Sequence, residues 1–194
     1  ADTGPDQDGV NNINPTTNSP DRDGADDGVI LPLNLPNCCW TTFDYLVKVV
    51  NPGTDLWVNA WFDWNRDGDW DDTLDCSGRS VPEWAVQNQY LFNLPARLHR
   101  LTSRAFMSWH PEVGPEYIWM RITLSEQPWK GGENPGMRGN GGSGPQAGYE
   151  IGETEDYYIR PDTSYSICND LNGDGEIGMD DLTTLLDEWF ERCP

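Results

Sequence analysis

The sequence is short of positive charge and has no long apolar run. Lys and Arg together number 12 in 194 residues, against 33 Asp and Glu, so the formal net charge is −21. A chain this acidic is repelled by nucleic acid and by anionic lipid surfaces. A membrane-spanning helix needs about 18 consecutive apolar residues, and the sequence contains no such run. We therefore expect neither nucleic-acid binding nor membrane insertion.

Histidine is scarce as well, and its scarcity limits both zinc binding and catalysis. His99 and His110 are the only two, and neither stands in a recognisable nucleophile motif. No C-x-x-C spacing is present either, so a zinc site is not expected. Glu83, Glu112 and Glu116 provide carboxylates for a glycosidase-type pair, but such pairs arise freely in an acid-rich chain. We expect a protein without enzymatic activity.

The sequence also lacks an initiating methionine. It begins at Ala1, as a chain does after removal of a signal peptide. Five cysteines fit the same interpretation, because disulfides persist in oxidising compartments outside the cytosol. We therefore expect a secreted or cell-surface protein whose signal peptide has been removed.

The cysteine positions predict two disulfides. Cys168 and Cys193 bracket the C-terminal end of the chain, and we expect them to pair. Cys76 is expected to pair with Cys38 or with Cys39, and the sequence does not choose between these two. Either choice would leave one thiol free.

The composition of the chain divides it into three segments. Residues 1–36 are rich in Asp, Asn, Gly and Pro and form an extended acidic arm, residues 37–161 carry β-branched and aromatic runs, and residues 162–194 form a small C-terminal unit. Such runs, separated by Pro and Gly turns, predict an antiparallel β-sandwich or jelly roll for the middle segment. The six predicted strands are Thr41–Val50, Leu56–Trp64, Ala85–Leu94, Leu101–Trp109, Glu116–Leu124 and Asp156–Arg160.

A twelve-residue run in the C-terminal unit has the ligand spacing of a calcium loop. Asp170, Asn172 and Asp174 stand at its positions 1, 3 and 5. Glu176 offers its backbone carbonyl at position 7, and Asp181 closes the loop at position 12. The apolar residues that follow recur at helical spacing, which predicts one short amphipathic helix. This unit resembles one half of a type I dockerin, and we expect it to act as a calcium-stapled cap rather than to bind a cohesin.

The middle segment contains a second loop with the same D-x-N-x-D-G start, at the end of a predicted strand. Alternate side chains on such a tight loop converge on one point, and calcium prefers roughly six to eight oxygen ligands. The candidate ligands are Asp63, Asn65, Asp67, the carbonyl of Asp69, and either Asp71 or Asp72.

The acidic arm contains an internal repeat at a spacing of fifteen residues. Each copy has D-x-D-G-x-x-[DN] spacing and resembles a thrombospondin type 3 calcium repeat, although it is shorter and lacks the cysteines. An acidic segment without a core of its own becomes ordered only when a metal or a partner holds it. The candidate ligands in the arm are Asp6, Asp8, Asp21, Asp23, Asp26 and Asp27.

Two motifs of the middle segment resemble the GEVED domain of bacterial surface and secreted proteins. They are the run Trp61–Trp70 and the much later run Gly152–Tyr157, and Tyr117–Leu124 is similar to the strand before that domain's final loop. The resemblance covers residues 24–160. It implies a calcium-bearing β-sandwich of the kind found in large extracellular proteins, with no established catalysis.

The later of these motifs adds three acidic side chains to the candidate ligands. Glu153, Glu155 or Asp156 would complete a cation site with the loop that begins at Asp63. Because side chains alternate along a strand, Glu153 and Glu155 are expected on one face and Asp156 on the other. All three therefore reach one ion only if the strand contains a bulge.

These features together predict a non-enzymatic extracellular structural protein that binds several calcium ions. Acidic ends around a slightly basic middle permit head-to-tail contact between copies. We therefore expect a homo-oligomer that assembles through its terminal arms into a surface layer, matrix or filament. The alternative is a carbohydrate-binding or dockerin-type accessory module with polysaccharide as its partner, because ten tryptophans are enough for a sugar-stacking platform.

Overall fold

The structure is a computed structural model that describes residues 27–76, 78–110, 116–129 and 151–161, together with Met179, Leu182 and Thr183. Among these residues there is no helix long and apolar enough to cross a bilayer. Their secondary-structure elements are ten strands: β1 (Trp40–Thr41), β2 (Asp44–Lys48), β3 (Leu56–Phe62), β4 (Thr73–Cys76), β5 (Arg79–Pro82), β6 (Trp84–Leu91), β7 (Leu98–Thr102), β8 (Phe106–Met107), β9 (Ile118–Ser125) and β10 (Gly152–Ile159).

Four of the strands form one antiparallel sheet in the order β10–β9–β3–β6. β10 pairs with β9 along its full length, from Gly152 opposite Ser125 to Ile159 opposite Ile118. β3 lies between β9 and β6, and its pairing with β6 shifts register after Val58. The other strands form three two-stranded antiparallel sheets, β1–β8, β2–β7 and β4–β5. The predicted antiparallel all-β fold is confirmed, whereas this strand order does not establish a jelly roll.

The strands differ from the predicted ones in several places. The run predicted as one strand over Thr41–Val50 is divided between the end of β1 and β2, and β10 begins at Gly152 instead of Asp156. The run predicted as one strand over Leu101–Trp109 is the end of β7 followed by the short β8. The pairing is interrupted because the Ser103 hydroxyl accepts the Phe43 amide at 3.0 Å, and the Arg104 amide donates to the Gln89 side chain at 2.8 Å. The β4–β5 hairpin was not predicted, since its mostly polar and exposed residues give no alternating apolar pattern.

The inner face of the four-stranded sheet packs into the main core. Val58, Ala60 and Phe62 are alternate residues of β3, and all three are buried. Phe62 stacks on Phe106 with ring centroids 5.3 Å apart and meets Phe43 edge-on at 6.3 Å. Leu56 belongs to the same core. Since alternate side chains of a strand point to opposite faces, Trp57, Asn59 and Trp61 lie on the outer face of the sheet.

A group of tryptophans, here called the outer cluster, covers that outer face. Trp61, Trp70 and Trp129 are buried in it, and Trp84 and Trp119 pack against them. Trp61 stacks on Trp84 at 6.0 Å and 8° and meets Trp129 edge-on at 6.2 Å and 85°. Trp70 comes from the loop after β3 and Trp129 from the segment after β9. Both faces of the sheet are therefore packed, and much of the tryptophan content is structural.

A buried ion pair lies beside the outer cluster and joins β9 to β10. Arg121 is fully buried, and its Nε and Nη2 atoms donate to Asp156 Oδ1 at 2.7 Å and Oδ2 at 2.6 Å. The guanidinium carbon also lies 5.2 Å from the centre of the Trp70 ring. Removing charge from water is costly, and two-point hydrogen bonding of this kind offsets much of that cost.

The described end of the acidic arm belongs to the main core. Val29 pairs with Tyr45 of β2 through an isolated bridge, and both Val29 and Leu35 are buried. The amide of Leu46 donates to the Gly28 carbonyl at 2.7 Å. At this point the arm adds to the edge of the chain's own β2, while residues 1–26 lie outside the described part.

Cys38 and Cys76 form a disulfide that joins the segment before β1 to the end of β4. Of the two partners that the sequence left open, Cys38 is the one bonded to Cys76. Cys39 is disulfide-bonded as well, so the expectation of a free thiol at this pair is wrong. The expected Cys168–Cys193 bond and most of the expected C-terminal calcium loop and helix also lie outside the described residues.

The buried ion pair gives a prediction about stability. Arg121→Gln leaves the Asp156 carboxylate buried without its partner, and such a change costs about 3–5 kcal/mol of unfolding free energy. Arg100→Gln is the matched control, because it removes the exposed Arg100–Asp44 pair, in which the arginine side chain is 67% exposed. That loss is expected to be about 0–1 kcal/mol. Urea denaturation measures both, and equal losses would contradict the prediction.

Candidate metal site

The loop between β3 and β4, residues 63–72, is called the acidic loop. Three of its side chains shape it by accepting the backbone amide two residues ahead: Asn65 Oδ1 from Asp67 at 3.1 Å, Asp67 Oδ1 from Asp69 at 3.2 Å, and Asp69 Oδ1 from Asp71 at 3.1 Å. Such turns are typical of Asp and Asn. Gly68 permits the sharp bend with a φ of 90°. The local chemistry of the motif therefore folds the loop.

Three carboxylates of the acidic loop come together. Oxygen atoms of Asp67, Asp69 and Asp72 all lie within 4.8 Å of one another. Asn65 Nδ2 bridges two of them, since it donates to Asp67 Oδ2 at 3.1 Å and also to Asp72 Oδ2. Burial raises the pKa of Asp72, and the neighbouring negative charges of Asp67 and Asp69 add to the rise. Like charges held this close favour binding of a cation.

Asp63 stands at the first position of the loop and is almost fully buried. Its exposed fraction is 4%, and its Oδ1 atom finds no hydrogen-bond partner among the described residues. Burial raises the pKa of its carboxyl, and the charge of Asp67 raises it further, while the backbone amides of residues 66–68 act in the opposite direction. A buried carboxylate oxygen without a partner is costly unless it has a ligand.

Glu83 closes the loop, and the ligand spacing gave no sign of this role. It is fully buried, and its carboxylate accepts the amide of Trp64 at 3.0 Å and that of Asp72 at 3.1 Å. The two amides lie at opposite ends of the acidic loop. Burial raises the pKa of Glu83 to about 8, and the charges of Asp63 and Asp72 contribute. The sequence had named Glu83 only as part of a glycosidase-type pair.

The acids of the Gly152–Tyr157 run have partners of their own. Glu155 is 5% exposed and accepts the Gly28 amide at 3.1 Å and the Tyr157 hydroxyl at 2.7 Å. Burial raises its pKa to about 7. Asp156 is held by Arg121 on the opposite face, as strand alternation requires.

The other predicted ligands fall into two groups. Glu153, Glu155 and Asp156 are not among the described acids that lie close enough together to share one ion. Asp27 is exposed, and its amide lies 3.4 Å from Glu155 Oε1. The predicted ligands that lie outside the described residues are Asp6, Asp8, Asp21, Asp23, Asp26, Asp170, Asn172, Asp174, Glu176 and Asp181.

The burial of Glu83 predicts a pH-dependent stability in the metal-free protein. Its pKa is about 8 in the folded chain, against an ordinary value of 4.5. The folded state holds this proton more tightly than the unfolded state, so protonation favours folding. With calcium chelated, the contribution of Glu83 is fully present below about pH 4.5 and is lost as the pH rises to about 8.

Urea denaturation between about pH 5 and 8 in excess chelator tests this. Glu83→Gln cannot titrate, so its unfolding free energy should fall less with rising pH than that of the unchanged protein. Glu116→Gln makes the same charge change at an exposed position and should retain the full pH dependence. Equal pH dependence in all three proteins would contradict the prediction.

Comparison with known proteins agrees with the two motifs that the sequence analysis singled out. The GEVED domain model matches residues 57–160, which is more than half of the 194 residues. The matched stretch begins in β3, includes the acidic loop and Glu83, and ends after β10. No curated protein and no solved structure matches the chain. The chain therefore belongs to the GEVED domain family.

Proposed function

We propose that this protein is a calcium-stabilised structural protein of the bacterial exterior, without catalytic activity. The observation that carries the proposal is the acidic loop, where oxygens of Asp67, Asp69 and Asp72 lie within 4.8 Å of one another. A second observation is the buried Asp63 oxygen at the start of the loop, which has no hydrogen-bond partner among the described residues. A donor set made of oxygen alone suits calcium rather than zinc or copper.

Five side chains of the loop would hold the ion. Asp63, Asp67, Asp69 and Asp72 would each supply carboxylate oxygen, and Asn65 would supply its amide oxygen. At present the Asn65 nitrogen donates to Asp67 and Asp72, while its oxygen accepts a backbone amide. A half-turn of the amide exchanges these two atoms. The same side chain therefore has the means to turn its oxygen towards a cation.

The surroundings of the loop favour a structural role for the ion. Glu83 holds both ends of the loop through backbone amides, so the ligands are attached to a rigid frame. The same loop carries Trp70, whose ring packs on the Arg121 guanidinium and in the outer cluster. An ion bound here would fix the loop and, through Trp70, the packing over the outer face of the sheet.

Assembly through the terminal arms is the second part of the proposal. The candidate calcium ligands outside the acidic loop stand mostly in the first 27 residues and after residue 169. Metal binding would stiffen such segments, because binding energy is what orders them. Membership of a family whose domain is expected in large extracellular proteins supports the same setting.

Carbohydrate binding is the second candidate function, and one exposed aromatic group favours it. Tyr117 and Tyr158 are 49% and 43% exposed, with rings stacked 4.9 Å apart, and Trp119 lies 4.9 Å from Tyr158. Exposed rings of this kind suit sugar stacking better than Trp84 and Trp129, which pack in the outer cluster. Loss of polysaccharide binding in Tyr158→Ala would support this alternative.

The calcium site is tested by thermal unfolding with calcium and with chelator. A ligand present at about 100 times its Kd adds about 2.7 kcal/mol to the unfolding free energy for each site. Asp67→Asn removes one of the three clustered carboxylates, so its gain from calcium should be smaller than that of the unchanged protein. Glu116→Gln, an exposed change of the same charge, should keep the full gain. Identical gains in all three would contradict the site.

Assembly is tested separately by light scattering of the full chain. We expect particles larger than a monomer with calcium and smaller ones after chelation, because the arms would order only when metal is bound. Asp67→Asn serves as the control here as well, since the assembly is attributed to the arms and should survive a change in the acidic loop. A monomer under both conditions would contradict assembly and leave the loop site standing.

A further inference from the structure

One groove on the described surface, here called the basic groove, is lined by apolar and cationic side chains and by no acid. It has a volume of about 400 Å³, and its lining residues come from β1, β5, β6, β8 and the turn before β8. The apolar part of the lining consists of Pro82, Ala85, Phe106 and Met107. Because the chain carries 33 acidic residues against 12 basic ones, a lining without Asp or Glu sets this groove apart from the chain as a whole.

The cations of the basic groove are available for a partner. Arg79 and Arg104 both line it and are exposed. The ion pairs among the described residues are formed by Arg100 and Arg121 instead, and neither guanidinium of the groove has a partner there. An arginine in this state favours a carboxylate, with which it forms charge-assisted hydrogen bonds.

Trp40 adds an aromatic side chain to the same lining. It is 65% exposed, in contrast to the tryptophans of the outer cluster. Aromatic residues, Met and Arg are the residue types enriched at protein–protein interfaces, and Trp and Arg also dominate their hot spots. Trp40, Met107 and the two arginines therefore favour a protein as the occupant of the basic groove.

The C-terminal side of the chain offers an apolar surface without cover. Met179 and Leu182 have helical backbone and are 75% and 44% exposed. Residues three positions apart lie on the same side of a helix. The Thr183 hydroxyl donates to the Met179 carbonyl at 2.9 Å, as is usual for Thr in a helical turn. Two large apolar side chains therefore face solvent side by side.

The sequence around these two residues is acidic. None of residues 162–191 is Lys or Arg. The helix predicted for this segment carries its apolar side chains at helical spacing, and Asp187, Glu188 and Glu191 are acids that no predicted calcium site uses. The segment therefore combines an apolar stripe with free negative charge, which is the complement of the basic groove.

We infer that the basic groove binds the C-terminal segment of a second copy of this chain, as a helix lies in an apolar groove. The Met179 and Leu182 side of the segment packs on Trp40 and the apolar lining, and its acids meet the two arginines. This inference rests on the assembly between copies proposed above, and it names the two surfaces that meet.

The contact joins two copies rather than two parts of one chain, because both surfaces are exposed in the single chain. The groove and the segment are different surfaces, so the contact is heterologous. Each copy then binds one neighbour with its groove and a second neighbour with its segment. Repeated contacts of this kind build a filament, or a ring if the rotation closes.

Charge reversal in the groove tests the contact by light scattering of the full chain in calcium. Arg79→Glu with Arg104→Glu places like charges opposite each other, so the protein concentration at which particles form should rise at least about tenfold. Lys48→Glu with Arg97→Glu is the matched control, since it makes the same charge change at exposed positions outside the groove lining. That control should assemble like the unchanged chain.

A mixing experiment makes the test independent of any loss of folding. Asp187→Lys with Glu188→Lys reverses the charge of the segment and should also prevent assembly. An equimolar mixture of the groove variant and the segment variant should assemble again, because each reversed surface then meets an opposite charge. Misfolded chains would not show this recovery. Failure of the mixture to assemble would overturn the inference.

The apolar half of the contact is tested in the same way. Trp40→Ala removes the aromatic side chain and should raise the assembly concentration about tenfold or more. Phe92→Ala is the control, because Phe92 is 70% exposed and does not line the groove. Its assembly should be unchanged. Equal effects of the two changes would overturn the inference.

The remaining outcomes separate this contact from the assembly itself. Assembly that survives both the groove and the segment charge reversals would overturn this contact and leave assembly through other surfaces standing. A monomeric unchanged chain would overturn both. Binding of polygalacturonate to a chain that stays monomeric, lost in the groove variant, would assign the groove to an acidic polysaccharide and overturn the inference.

Discussion

Closure of the acidic loop by Glu83 sets the geometry of this end of the molecule. The Glu83 carboxylate accepts the amides of Trp64 and Asp72, so the two ends of the loop lie against one buried group. The backbone that carries the clustered carboxylates is therefore held at both ends. The same closure positions Trp70 on the outer face, where its ring meets Arg121. Loop, outer cluster and buried ion pair therefore form one continuous set of contacts.

The Gly152–Tyr157 run, which matches the motif that gives the family its name, contributes packing and hydrogen bonds as well as charge. Gly152 has no room for a side chain, since a Cβ atom would lie 2.0 Å from a carbonyl oxygen of β9. Thr154 is buried on the outer face. Glu155 binds backbone amides of the arm, and Asp156 binds an arginine of β9. One short strand thus joins the arm to the sheet.

The parts of this structure that depend on residues close together in the sequence were predictable. Leu56–Phe62 was predictable as a strand from its β-branched and aromatic residues. The loop spacing named Asp67 and either Asp71 or Asp72 as ligands, but it assigned Asp69 through its backbone carbonyl, whereas the carboxylate of Asp69 is the group that lies near Asp67 and Asp72. The role of Glu83 was not predictable, because it joins residues 11 and 19 positions away without any repeated spacing.

The same limit applies to long-range pairs and to burial. Arg121 and Asp156 stand 35 positions apart, and their pairing depends on the register of β9 and β10. Nor does composition show that Trp70 and Trp129, which lie in loops, would be buried in the outer cluster.

The Cys38–Cys76 bond has a mechanical consequence for any force applied along the chain. If the chain were pulled from its N-terminal side, the arm residues 27–37 would peel away from β2 first and yield roughly 35–40 Å of extension. The pull would then reach Cys38 and cross the covalent bond directly to Cys76. The span between them, which contains β2, β3 and the acidic loop, would carry no tension. The bond thus shields the candidate ion site from any force that the arm transmits.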